Sequence, residues 1–178
     1  MFLEFIYKEL VQKLNFSSQI LIVTYDLQDS FDYVEKNKNL FLKNKISVNS
    51  NIENNFKDKT FDYIIFNFLF SNLSNKENIE KELAVYRKYL NSSSSFFIFI
   101  EELITKEDIN NFHPFSIIRN TFHYLPYFNI RKNVTMDSFY DVLLNNSIHV
   151  LDTNRVVSVE TLPTFFQEFF IITCSNSL

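Results

Sequence analysis

Residues 59–102 constrain the fold more than any other stretch. They read KTFDYIIFNFLFSNLSNKENIEKELAVYRKYLNSSSSFFIFIEE. Residues 61–68 form a near-continuous apolar and aromatic run, short enough for a strand buried on both faces. Ser74 with Glu77 makes a capping box, so the pattern predicts a helix starting there. Ile79, Leu83, Tyr86 and Leu90 then fall on one face of that helix. Four serines follow, and residues 96–100 predict a second buried strand. A strand, helix and strand in this order form a βαβ unit, whose strands are parallel and whose crossover is right-handed.

The flanking sequence extends this pattern. Residues 2–14 read as an amphipathic helix with Leu3, Ile6, Leu10 and Leu14 inward. Residues 19–24 (QILIVT) predict a buried strand ending at Tyr25-Asp26. A helix is expected over about 31–42, capped by Asp29 or Ser30, with Phe31, Val34 and Phe41 inward. Residues 45–49 predict a short strand, and the asparagine-rich residues 50–59 a surface loop. Beyond the central unit, Thr105 with Asp108 caps a short helix. His113-Pro114 opens another, which Pro126 ends. Thr135 or Asp137 opens a helix through Leu144, with Phe139, Tyr140, Leu143 and Leu144 apolar. Asn145-Asn146-Ser147 replaces the usual glycine stop. Residues 148–160 and 165–173 predict two strands joined by Thr161-Leu-Pro-Thr, a link short enough for an antiparallel hairpin.

Glycine is entirely absent from the 178 residues, where average usage would supply roughly a dozen. Turns that need positive φ are therefore expected to use Asn, Asp or Ser. Hydrophobic residues make up 46% of the chain, which argues against disorder. The length suits one domain spanning 1–178. A net charge of −4 with scattered lysines and arginines gives no nucleic-acid surface. The single cysteine, Cys174, excludes an internal disulfide and a cysteine-rich metal site, and reads as a buried, inert thiol. No run reaches the length of a membrane span. The start of the chain carries acidic Glu4 and lacks a basic leader, so a cytoplasmic protein is expected. Without glycine, neither a Walker loop nor a nucleophile elbow can form.

The overall expectation is an α/β fold. It has a Rossmann-like, mostly parallel sheet, helices on both faces and a C-terminal antiparallel hairpin. This order resembles the class I S-adenosylmethionine-dependent methyltransferases. Phe61-Asp62-Tyr63-Ile64-Ile65 looks like the family's fourth strand, commonly F-D-h-h. Tyr86-Arg87-Lys88-Tyr89-Leu90 looks like the end of the helix before its L-K-P-G-G turn. Residues 91–95 stand at that turn without its Lys, Pro or Gly. Residues 96–102 look like the fifth strand. Helix 136–144 and the hairpin look like the last helix and strands six and seven.

The amino-terminal half departs from the family. Its cofactor loop follows the first strand and usually reads D-x-G-x-G-x-G, letting the backbone approach the ligand. Here the sequence is Val23-Thr24-Tyr25-Asp26-Leu27-Gln28-Asp29, with bulky Tyr25 and Leu27 where close approach is needed. Before the fourth strand there is room for about two strands and one helix. Either a βα unit has been lost, or residues 20–26 correspond to the second strand. In the second case Asp26 matches the acidic residue that holds the cofactor ribose; otherwise it is a turn residue.

The resemblance also supplies site candidates, each with a plainer role beside it. His113 and His123 are the candidate bases. His113 equally caps a helix before Pro114, and His123 sits among Phe122, Tyr124 and Leu125 as a packed or surface histidine. His149 is a third, weaker candidate. Asn67 begins Asn67-Phe68-Leu69-Phe70, where amino-methylating relatives carry (D/N)-P-P-(Y/F), but both prolines are absent. Glu101-Glu102 offers carboxylates to a metal or substrate, against the expectation of a solvated strand end. No His/Cys/Asp set has zinc spacing. The segment FHPFSIIRNTFHYLPYF, residues 112–128, carries more apolar surface than one helix hides, which suits a partner-binding face or a lid.

Two functions follow from the resemblance. One is a non-catalytic subunit that binds an active methyltransferase partner or a copy of itself, with no cofactor. The other is an active small-molecule methyltransferase that holds S-adenosylmethionine at a glycine-free site through Asp26 or Asn67. A binding module for an apolar ligand in the vacated pocket is a third.

Overall fold

A computed structural model describes residues 14, 17–24, 36–43, 45–49, 56, 59–73, 75–91, 95–101, 103–105, 134–158 and 167–176. The elements are β1 (Ile20–Thr24), α1 (Lys38–Lys43), β2 (Ile46–Asn49), β3 (Tyr63–Asn67), α2 (Leu69–Asn72) and α3 (Lys76–Arg87). They continue with β4 (Phe96–Glu101), β5 (Leu103–Ile104), β6 (Val134–Thr135), α4 (Met136–Asn145), β7 (Ile148–Ser158) and β8 (Gln167–Asn176).

Six strands form one sheet in the order β2-β1-β3-β4-β8-β7. The first four are mutually parallel. The β7–β8 hairpin closes the sheet antiparallel to β4, and β5 pairs with β6 in a separate two-stranded piece. This is the α/β architecture that the sequence predicts, hairpin included. The doubly wound order 3-2-1-4-5-6 places strand 1 beside strand 4. Since β3 carries the F-D-h-h segment and β1 is its neighbour, β1 holds the first-strand place and β2 the second. Among the described residues no strand lies outside β2.

The core has two layers because the central strands are buried on both faces. Leu21, Ile64, Phe66, Phe97 and Phe99 point to one face, under α3 and α4. Ile20, Ile22, Ile65, Ile98 and Ile100 point to the other, where Phe41 of α1 packs. Helices therefore cover both faces. Phe66 meets Tyr86, Phe97 and Phe99 at centroid distances of 5.1, 5.5 and 5.1 Å.

The F-D pair has a structural explanation. The Asp62 carboxylate accepts the Gln19 N–H (2.8 Å) before β1 and the Asn91 side-chain amide (3.2 Å) after α3. The Phe61 N–H donates to the Tyr89 carbonyl at 2.7 Å. One dipeptide thus ties together the entry to β1, the entry to β3 and the exit from α3.

Several local expectations shift. Asn75, not Ser74, caps α3: its side chain accepts the Asn78 N–H at 2.8 Å, and asparagine caps at least as well as serine. Ile79, Leu83 and Tyr86 form the buried stripe as expected. Thr135 caps α4. There the buried stripe is Phe139, Val142 and Leu143, leaving Leu144 outside. Among the described residues, positive φ falls on Lys45, Phe68 and Ser147. Only the serine follows the expected residue types, and it stands at the glycine-type stop after α4. Lys45 and Phe68 adopt this conformation because the chain must turn into β2 and α2 there. Helix 2–14 up to Leu14, the two helices expected between 105 and 126, and the link 161–164 lie outside the described residues.

Candidate functional site

From β1 the chain moves outward to β2, then returns across β1 to β3 on its other side. The strand order reverses between β1 and β3. Open α/β sheets bind ligands in the crevice outside the carboxyl ends of the strands at this point. Here those ends are Thr24 and Asn67, direct partners in the parallel register. Asn67 Nδ2 donates to Thr24 Oγ1 at 3.4 Å. Among the described residues, the buried Asn67 Oδ1 has no hydrogen-bond partner.

The adjacent turn is tightly held. Phe68 adopts φ 56°, ψ 45°, and its N–H donates to the Ile100 carbonyl at 2.9 Å. The Phe70 N–H donates to Glu101 Oε1 at 2.8 Å. Asn72 Nδ2 donates back to the Phe68 carbonyl at 2.6 Å. Glu101 is therefore no solvated strand end: it is completely buried. Its carboxylate satisfies a buried backbone donor that would otherwise be orphaned.

These strand ends have little open surface. Relative exposure is 2% for Thr24, 5% for Asn67, 3% for Phe68, 2% for Phe70 and 0% for Glu101. Binding sites are usually largely pre-formed, so a crevice ready for a ligand would leave such residues accessible. The strand in second place, β2, ends at Asn49, an uncharged residue where the resemblance expects a carboxylate for the ribose. Residues 25–30, where the resemblance places the cofactor loop, lie outside the described residues.

The sequence candidates are placed unevenly. Asn67 lies at the switch point. Asp26, His113, His123 and Glu102 lie outside the described residues. His149 is exposed on β7, the edge strand of the hairpin, two strands beyond β4. Thr24 and the Glu101–Phe70 contact escaped the sequence reading. A polar residue ending an otherwise apolar ILIVT strand was the available signal for Thr24.

No cluster of His, Cys, Asp and Glu suited to a metal occurs among the described residues. No helix there is long and apolar enough to cross a membrane. Cys174 is buried on β8, and burial pushes its thiol from 9.0 up to about 12. The thiolate is the nucleophile, so the native chain is expected to resist alkylation at pH 8 and to react once denatured. The unfolded thiol ionises near pH 9 while the folded one stays protonated. The stability this burial contributes is therefore present below pH 9 and lost as pH rises through about 12.

No protein-family model and no curated protein matches the chain. Solved structures do. Magnesium protoporphyrin IX methyltransferase from Synechocystis, with bound S-adenosylhomocysteine, superposes with a TM-score of 0.61 at 10% identity, over 99% of this chain and 82% of its own. The pyocyanin biosynthetic protein PhzM gives 0.66 at 13% identity, over 96% of this chain and 54% of its own. A methyltransferase from Methanosarcina mazei gives 0.57 at 11% identity, over 97% and 98%. The chain has the class I S-adenosylmethionine-dependent methyltransferase-like fold.

Proposed function

We propose that this chain is a non-catalytic methyltransferase-fold subunit that acts by binding protein, either an active methyltransferase or a second copy of itself. The closed switch point carries this reading: Thr24 and Asn67 end the strands where a ligand would sit, and both are buried. The glycine-free sequence after β1 supports it, because backbone bearing Cβ atoms cannot approach a ligand as glycine does. Exposed apolar surface supports the protein-binding part. Leu144, Val150 and Leu151 are 68%, 38% and 57% exposed, at the end of α4 and the start of β7.

Calorimetric titration of the folded chain with S-adenosylmethionine is expected to give no binding heat. Micromolar binding would sink this reading in favour of an active small-molecule methyltransferase with a glycine-free site. The partnerless Asn67 Oδ1 favours that alternative, since it offers an acceptor to a ligand N–H. Light scattering then distinguishes a self-associating chain from one that requires a different subunit.

A further inference from the structure

Among the described residues, β7 forms a long edge of the sheet and pairs on one side only, with β8. It is an 11-residue strand, IHVLDTNRVVS, without the lysines and prolines that commonly blunt an edge. His149 to Arg155 are all exposed. A bulge between Val150 and Asp152 interrupts the start of the strand, and residues 152–158 run on in regular register. Thr153 and Arg155 lie opposite Ile172 and Phe170, so they share the sheet face that α4 covers. Tyr140 of α4 reaches the edge there, its phenol oxygen 3.2 Å from Thr153 Oγ1. α4 carries exposed Asp137 and Asp141 and no basic residue.

We infer that β7 pairs antiparallel with β7 of a second copy, about a two-fold axis through Asn154 and normal to the sheet. This rests on the protein-binding reading and names its partner. An open edge accepts another strand through its backbone. A two-fold contact is isologous, and this axis keeps both α4 helices on the same face of the joined sheet. Like charges directly opposite each other are destabilising, which argues against an axis at Asp152 or Arg155. An axis at Thr153 sets Arg155 against Leu151, which lies in the bulge. An axis at Asn154 keeps residues 152–156 of both copies in the regular run. It also brings Arg155 of each copy level with Thr153 of the other, beside Tyr140 and the acidic α4. The guanidinium there meets opposite charge and an aromatic ring. Axes beyond Arg155 lose this match. On the other face, Asp152 lies diagonal to Asn154 of the copy, the amide that donates to Asp152 within its own chain.

Sedimentation of the full chain over a micromolar concentration series is expected to show a reversible dimer. Asn154→Lys sets two lysines against each other on the axis and should weaken it at least tenfold. Thr153→Lys, which faces Arg155 of the copy, gives a second and independent test of the same kind. Asn154→Cys should cross-link to its copy on mild oxidation, since directly opposed Cα atoms, about 4.5–5.5 Å apart, are within disulfide reach. Cys174 is buried and stays silent. Asp152→Cys, set away from the axis, should not cross-link. A single-chain mass throughout overturns the inference. So does a dimer that both lysine variants leave intact, or one that cross-links at Asp152→Cys and not at Asn154→Cys. Far-UV circular dichroism establishes that each variant is folded. A single-chain mass without S-adenosylmethionine binding leaves the non-catalytic reading with a different subunit as partner. Binding of S-adenosylmethionine by the unaltered chain removes that reading itself, so the two failures are distinguishable.

Discussion

Phe66→Ala is expected to destabilise the chain by about 3–5 kcal/mol, the range for removing a fully buried aromatic ring. Phe66 lies on β3, level with Val23 on β1 and Phe99 on β4. Its ring packs edge-on to Tyr86 of α3 and stacks on Phe99. Truncation therefore leaves a cavity between sheet and helix and forfeits aromatic contacts worth about 0.5–1.5 kcal/mol each beyond area burial. Urea unfolding followed by circular dichroism measures the loss. Phe66→Leu, which fills most of the space, should cost far less. Equal losses for both variants would show that the ring contacts, not the volume, dominate.

Glu101→Ala is expected to be the second most damaging change, for a different reason. It leaves the Phe70 N–H without its acceptor in a buried site, a loss of about 1–3 kcal/mol, and opens a cavity besides. Glu101→Gln keeps a side-chain oxygen for that N–H, so its loss should be smaller. Hydrogen exchange at the Phe70 amide provides a local check. It should accelerate strongly in Glu101→Ala and little in Glu101→Gln. Unchanged exchange in the alanine variant would mean that Glu101 does not hold the turn.

The sequence revealed those parts whose signal is local. The strands at 61–68 and 96–100 were legible because burial on both faces leaves continuous apolar runs. The α3 stripe of Ile79, Leu83 and Tyr86 was legible because helical spacing repeats. The hairpin was legible from two long β-rich segments with a short link. What stayed hidden depends on residues far apart in the chain. Glu101 after FFIFI looks like a strand meeting solvent until the Phe70 N–H, 31 positions away, is found beside it. The first-strand position of β1 required the sheet order, because a lost βα unit and a renumbered strand leave the same sequence. Phe68 carries no mark of left-handed backbone when glycine is absent everywhere. One near miss, Ser74 for Asn75, arose where two adjacent residues suited the same role.

The sheet order also bears on how the chain assembles during synthesis. β4 has the sequence FFIFIE, and its outer neighbour is β8, the last of the described strands. During synthesis, β4 leaves the ribosome well before residues 167–176 do. Throughout that interval an apolar, β-prone edge is available for pairing with other nascent chains. Completion of this sheet is thus a late event, and the closing hairpin also acts as the cover that keeps the aromatic centre from aggregating.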